Sequence, residues 1–159
     1  MVTYLVVDTC VLSDILKQYN PSNPKQSYVQ GHFLSNTMAQ HINQIVTDIE
    51  ENGYIIASVF AFVELFNKFN DIFRGSSVTI ERIKGFMVQP PSWFIVEPMT
   101  YDTARHFTNI PNCTPTYEPI SSDDAVHLAT ALQRGDDVKF LTSDHKLNVL
   151  DIPRITFLS

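Results

Sequence analysis

Four acidic residues stand where the chain could use them for chemistry. Asp8 closes an apolar run, and Glu64 interrupts the aromatic segment Val59-Phe60-Ala61-Phe62-Val63-Glu64-Leu65-Phe66. Asp124 follows Ser122-Asp123, and Asp144 follows Phe140-Leu141-Thr142-Ser143. Carboxylates gathered at one place offer hard oxygen donors, which suit Mg2+ or Mn2+ rather than Zn2+. One or two such ions hold a phosphate, acidify a bound water and stabilise charge on the attacking and leaving oxygens. Without a cation the same acids repel, and at least one pKa is expected to rise.

Each acid also has a plain explanation. Asp8 and Asp144 can cap the helices that follow them. Asp124 can favour a helix macrodipole, and Asp123 beside it could serve equally. Glu64 can pair with Lys68, one helical turn on. Glu64 is the hardest to set aside in this way, because a carboxylate among aromatic residues needs a partner, a proton or a cation.

The elements that must position these acids follow from the hydropathy pattern. Residues 2–7 are a continuous apolar run, expected as a buried strand, and residues 11–17 suggest a short helix. Residues 20–27, with two prolines, read as a loop. In residues 31–51, Phe33, Leu34, Met38, Ile42, Ile45, Val46 and Ile49 fall at helical spacing, and Asn52-Gly53 should end that helix. A strand is expected at 54–57, with Ser58 capping a helix that runs to about residue 70. Further helices are expected at 76–88, at 100–108 and from Ser121 or Ser122 to Gly135. Further strands are expected at 94–96, 139–142 and 155–158, and residues 109–120, with three prolines, read as a loop.

This alternation predicts an α/β fold: one three-layer α/β/α domain over residues 1–159, with a mainly parallel central sheet of four to five strands. Ligands of such sheets bind beyond the carboxyl ends of the strands. Asp8 and Asp144 directly follow expected strands, while Asp124 and Glu64 sit on helices whose starts face the same edge.

Composition narrows the function classes. The hydrophobic fraction is 44% and the charged fraction 18%, which describes a globular chain rather than a disordered one. The net charge of −6 opposes broad electrostatic attachment to nucleic acid. That objection is met if the acid is concentrated at a metal site while Lys68, Arg74, Arg82, Lys84 or Lys146 reaches phosphate, or if another protein supplies part of the surface. Cys10 and Cys113 form no CxxC pair, which excludes a zinc knuckle, and the five glycines form no phosphate-binding loop. The longest apolar stretch, residues 54–66, contains Glu64 and is too short to span a bilayer. With no basic leader before the apolar start, a cytoplasmic location is expected, and Asn112-Cys113-Thr114 reads as a chance sequon.

Taken in order, four segments resemble the acidic motifs of PIN domains. They are Val6-Val7-Asp8-Thr9, Phe62-Val63-Glu64-Leu65, the run Ser122-Asp123-Asp124-Ala125-Val126-His127-Leu128-Ala129-Thr130-Ala131, and Phe140-Leu141-Thr142-Ser143-Asp144. The resemblance covers nearly the whole chain, and in size it is nearest to the compact VapC-type toxin ribonucleases. It implies a divalent-metal-dependent endoribonuclease that hydrolyses RNA phosphodiester bonds. Asp8, Glu64, Asp124 and Asp144 would be its catalytic, metal-binding carboxylates, with Mg2+ or Mn2+ as cofactor. Thr142 would orient the site, with Thr9 and Asp123 counted as supporting residues. A toxin of this kind implies a small protein antitoxin that blocks the site with an Arg or Lys. The chain departs from the family at Cys10, where a small polar residue is more usual, and in the long loops at 20–31 and 109–120.

Rival readings are a different metal-dependent α/β phosphohydrolase and a non-catalytic PIN-like module that binds nucleic acid or protein. A dehalogenase-type phosphatase needs a second acid two residues after the first, where this chain has Cys10. A receiver domain needs a Lys after its last strand, and the motif order does not fit. Among the histidines, His127 is expected to pack against the sheet, with a place beside Asp124 as the alternative, and His145 is expected to face solvent. Ser143-Asp144-His145 is no hydrolase triad, whose members meet from separate segments. Besides RNA and an antitoxin, a second copy of the chain is a candidate partner. The faces that could serve it are the apolar side of the 31–51 helix and the region of Phe60, Phe66, Phe69 and Phe73, though core packing is their plainer use. No membrane association is expected.

Overall fold

Short runs of branched and aromatic residues form five strands: β1 (Thr3–Val7), β2 (Gly53–Ser58), β3 (Phe94–Glu97), β4 (Val138–Leu141) and β5 (Ile155–Leu158). The structure is a computed structural model that describes residues 2–26, 28, 35–47, 53–135 and 137–158. The strands join one sheet in the order β3-β2-β1-β4-β5, and every pairing is parallel. Parallel neighbours need long crossovers, which helices supply. These are α1 (Thr9–Gln18), α2 (Asn36–Thr47), α3 (Val59–Asn67), α4 (Phe69–Ile72), α5 (Ile80–Val88), α6 (Tyr101–His106), α7 (Ser122–Gln133) and α8 (His145–Asn148).

Successive strand residues point to opposite faces, and both faces are covered. Leu5 and Val7 of β1 belong to one core with Leu12, Ile15, Ile42, Phe62 and Ile83 of the helices. Val6 belongs to a second core with Ile56, Phe140, Leu128 and Leu132. Burial on both sides is why β1 reads as an unbroken apolar run rather than an alternating one. The result is the expected three-layer α/β/α fold. Among the described residues, no helix is long and apolar enough to cross a membrane.

The helices begin as local chemistry dictates. Asp8, Ser58, Thr79, Thr100, Ser121 and Asp144 each accept a backbone N–H of the turn that follows. Several boundaries differ from expectation. The helix after Ser58 breaks at Lys68, whose φ of −110° and ψ of 24° leave helical geometry, and α4 follows. Residues 76–79 are not helical: Ser76 accepts the Val78 N–H and Thr79 caps α5, because hydroxyl side chains compete with the helix for backbone donors. The expected 100–108 helix ends at His106 and passes into a 3-10 turn at Phe107–Asn109. Of the expected 31–51 helix, α2 covers Asn36–Thr47, and residues 31–34 and 48–51 lie outside the described residues. Gly53 does not end that helix but opens β2; a Cβ there would stand 3.2 Å from Ile45.

The apolar faces that could have served a partner are largely core. Met38, Ile42, Ile45, Val46 and Phe73 are buried, and Phe66 and Phe69 pack against them. Adjacent α3 residues provide a test of this packing. Phe62 is fully buried and Val63 is 54% exposed. Phe62→Ala should cost about 3–5 kcal/mol in equilibrium urea unfolding, and Val63→Ala less than about 0.5 kcal/mol.

Candidate active site

The strand order reverses at β1, which has β2 on one side and β4 on the other. A crevice beyond the carboxyl ends of such a pair is the usual ligand position in open α/β sheets. Asp8 leaves β1 there, and Thr142, Ser143 and Asp144 leave β4 beside it.

Asp8 is 7% exposed. Its Oδ1 accepts the Val11 N–H at 3.1 Å and its Oδ2 accepts the Thr142 hydroxyl at 2.6 Å. Thr142 Oγ1 in turn accepts the Asp144 N–H at 3.0 Å, so backbone, hydroxyl and carboxylate form one relay of hydrogen bonds. The Asp144 Oδ1 accepts the Lys146 N–H at 2.9 Å, which starts α8. Both cap roles anticipated for Asp8 and Asp144 are therefore present.

Glu64 is held from two other elements. Thr9 at the start of α1 donates its hydroxyl to Glu64 Oε1 at 2.5 Å, and His127 Nε2 of α7 lies 2.9 Å from the same oxygen. Because a carboxylate only accepts, this pairing puts a hydrogen on Nε2. The same nitrogen is 3.1 Å from Thr9 Oγ1. His127 is 3% exposed, and its Nδ1 has no hydrogen-bond partner among the described residues. Glu64 thus does not rely on Lys68, which is exposed and acts on it only as a nearby charge. His127 does more than pack against the sheet. Its signal in the sequence is its position one helical turn after Asp124, which puts both on one side of α7.

Asp124 Oδ2 lies 3.7 Å from Lys146 Nζ, which also donates to the Pro119 carbonyl at 3.1 Å. Asp123 is exposed, and no contact among the described residues joins it to the other acids. His145 is exposed, as expected.

The environments of Asp8 and Glu64 push in opposite directions. Burial raises the Asp8 pKa, which the Thr142 and Val11 hydrogen bonds and the His127 charge only partly offset, and the Asp124 charge raises it further. Burial also raises Glu64, but hydrogen bonds from His127 and Thr9 outweigh it, with help from the His127 and Lys68 charges, so its pKa lies below the ordinary value. The Cys10 thiol is pushed up by desolvation and then by the charges of Asp8, Glu64, Asp144 and Asp124.

Among the described residues, no three acidic, imidazole or thiol groups stand close enough together to hold a metal ion. The donor chemistry nevertheless fits a hard cation: Glu64 Oε2, Asp124 Oδ1 and Asp144 Oδ2 carry no hydrogen bond or ion pair among the described residues.

The raised Asp8 pKa has a measurable consequence in metal-free protein. The folded state holds the Asp8 proton more tightly than the unfolded chain, whose value is near 3.8. The contribution of Asp8 to stability is therefore full below that value and is lost as pH rises through the folded pKa. In EDTA, wild-type stability relative to Asp8→Asn should fall as pH is raised from roughly 4 upward. Urea unfolding of both proteins across pH measures this, and parallel curves would refute it.

Compared with protein-family models, curated proteins and solved structures, the chain matches none.

Proposed function

We propose that this chain is a divalent-metal-dependent endoribonuclease of the PIN kind, with Asp8, Glu64, Asp124 and Asp144 as its metal-binding carboxylates and Mg2+ or Mn2+ as its cofactor. The observation that carries this reading is that Asp8 and Asp144 follow β1 and β4 where the strand order reverses and are joined there through the Thr142 hydroxyl. When bound, the ion would supply Lewis-acid stabilisation of phosphate charge and an acidified water.

The roles of the chain's own residues follow from their contacts. Thr142 fixes the orientation of Asp8 and ties it to the Asp144 backbone. Thr9 and His127 hold one oxygen of Glu64 and leave the other unengaged. Lys146 offsets the Asp124 charge and fastens the preceding loop to the site through Pro119. Concentrating acid here, in a chain of net charge −6, also makes a cationic side chain the natural blocker. That is the chemistry a small antitoxin would bring if the chain is the toxin of a toxin–antitoxin pair.

The test is cleavage of a panel of single-stranded and structured RNAs in Mn2+, Mg2+ or EDTA by wild type, Asp8→Asn and Asp124→Asn. Wild type should cut only with metal, and each variant should lose activity by about a hundredfold or more, the scale of losing one electrostatic contact to the transition state. Equal residual cutting by all three proteins would mean a contaminant and would sink the reading. Mn2+ at a hundredfold excess over its Kd should also stabilise wild type by about 2.7 kcal/mol, and Asp8→Asn much less, in thermal melts.

A further inference from the structure

We propose that Lys146 is a substrate-binding residue, whose ammonium group contacts a backbone phosphate of RNA in the groove between residues 113–119 and α8. This inference rests on the nuclease reading and deepens it by naming the cation that receives the strand.

An RNA backbone approaching Asp124 and Asp144 meets like charge, in a chain whose net charge is already −6. A cation close to those acids must offset the repulsion, because distant surface charges are screened by salt. Five cations suit phosphate by their places in the sequence, and their contacts separate them. Arg74 pairs with Asp71, and Lys84 pairs with Glu81, each three residues away. Arg82 gives its guanidinium to the Tyr19 carbonyl. Lys68 acts on Glu64 only as a nearby charge. Among the described residues, Lys146 is the one Lys or Arg that forms an ion pair with any of the four acids.

Lys146 also lines an open groove of about 500 Å³, together with Ser143, Asp144 and His145 on its own side and Thr116 and Glu118 on the other. Asp144 borders the same groove, so a strand lying in it passes beside the acids. The far wall is fixed in place. Cys113 and Pro119 form an antiparallel bridge, and Thr114 Oγ1 accepts the Glu118 N–H at 3.1 Å.

The ammonium is held there without being saturated. Nζ donates to the Pro119 carbonyl at 3.1 Å, and the Lys146 backbone N–H donates to Asp144 Oδ1 at 2.9 Å. Asp124 Oδ2 lies 3.7 Å from Nζ, an ion pair too long to be a hydrogen bond. An ammonium carries three N–H donors, so Nζ keeps donors for an anion. The side chain is 24% exposed, which leaves it open to a ligand. A lysine already anchored at both ends loses little freedom on binding. Its charge-assisted hydrogen bonds suit phosphate oxygens, and Ser143 adds a hydroxyl donor on the same wall.

The plainer role for Lys146 is to neutralise Asp124 and hold the loop. The two roles part when Asp124 is itself neutral. In an Asp124→Asn background, binding of fluorescently labelled single-stranded RNA is followed by anisotropy in EDTA, between about 50 and 200 mM KCl. Adding Lys146→Met should weaken binding about tenfold at the low-salt end. It should also lower the slope of log Kd against log salt by about 0.7, the counterion release of one phosphate contact. Both changes should be the same for RNAs of different sequence. Lys146→Arg should keep the slope and stay within about twofold in affinity, and Lys84→Met should leave the slope unchanged.

Unchanged affinity and slope in Lys146→Met would overturn the phosphate contact and leave Lys146 as the partner of Asp124 alone. An equal loss in Lys146→Arg would overturn it too, since the charge is kept. No RNA binding in EDTA, with wild type still cleaving in metal, would overturn the contact but not the nuclease. No binding together with no cleavage in Mg2+ or Mn2+ would remove the nuclease reading and the contact with it.

Discussion

The hydrogen bond from Thr142 to Asp8 joins the ends of the two strands where the sheet changes direction. Much of the site depends on it. β1 and β4 lie 134 residues apart at this contact, and their parallel pairing places the two side chains together beyond the last backbone pair, Val7 with Leu141. Burial of the sheet on both faces leaves this edge as the place where its strands end in polar groups. Asp8 is buried there at a cost, and the Thr142 hydroxyl and Val11 N–H repay only part of it.

The asymmetry between Asp8 and Glu64 shows how hydrogen bonds and charges compete in a low-dielectric site. Both carboxylates lose water. Glu64 receives a hydroxyl and an imidazole on one oxygen and has a lysine within range, and these together exceed its desolvation. Asp8 receives a hydroxyl and a backbone N–H but also feels Asp124, and desolvation prevails. The two acids are therefore not interchangeable copies of one ligand. A cation would act most strongly on the group whose charged form is least supported.

Lys146 links the cluster to the rest of the surface. One ammonium group bridges Asp124 on α7 and the Pro119 carbonyl, while its backbone N–H caps α8 onto Asp144. The loop of residues 113–119 is in this way anchored to two of the four acids. Residues 109–120 show in sequence only as a proline-rich connection. In the structure residues 113–119 form a hydrogen-bonded loop tied to α8 through Lys146, a contact across 27 residues.

What the sequence alone determined were the features that depend on near neighbours. Apolar runs marked the five strands, because a strand buried on both faces must be apolar throughout. Ser58, Ser121, Asp8 and Asp144 were readable as caps, because a cap contacts backbone two or three residues away. The positions of Asp8 and Asp144 at strand ends were legible for the same reason. Tertiary structure alone decided the partners of these groups. Glu64 meets Thr9 across 55 residues and His127 across 63, so the nearer Lys68 was a misleading guide. Asp124 rather than Asp123 meets Lys146, a contact across 22 residues that depends on how α7, buried from Ala125 to Leu132, packs beside α8. Local periodicity measures which face of an element is apolar. Strand order and helix rotation determine what that face and its polar edge finally meet.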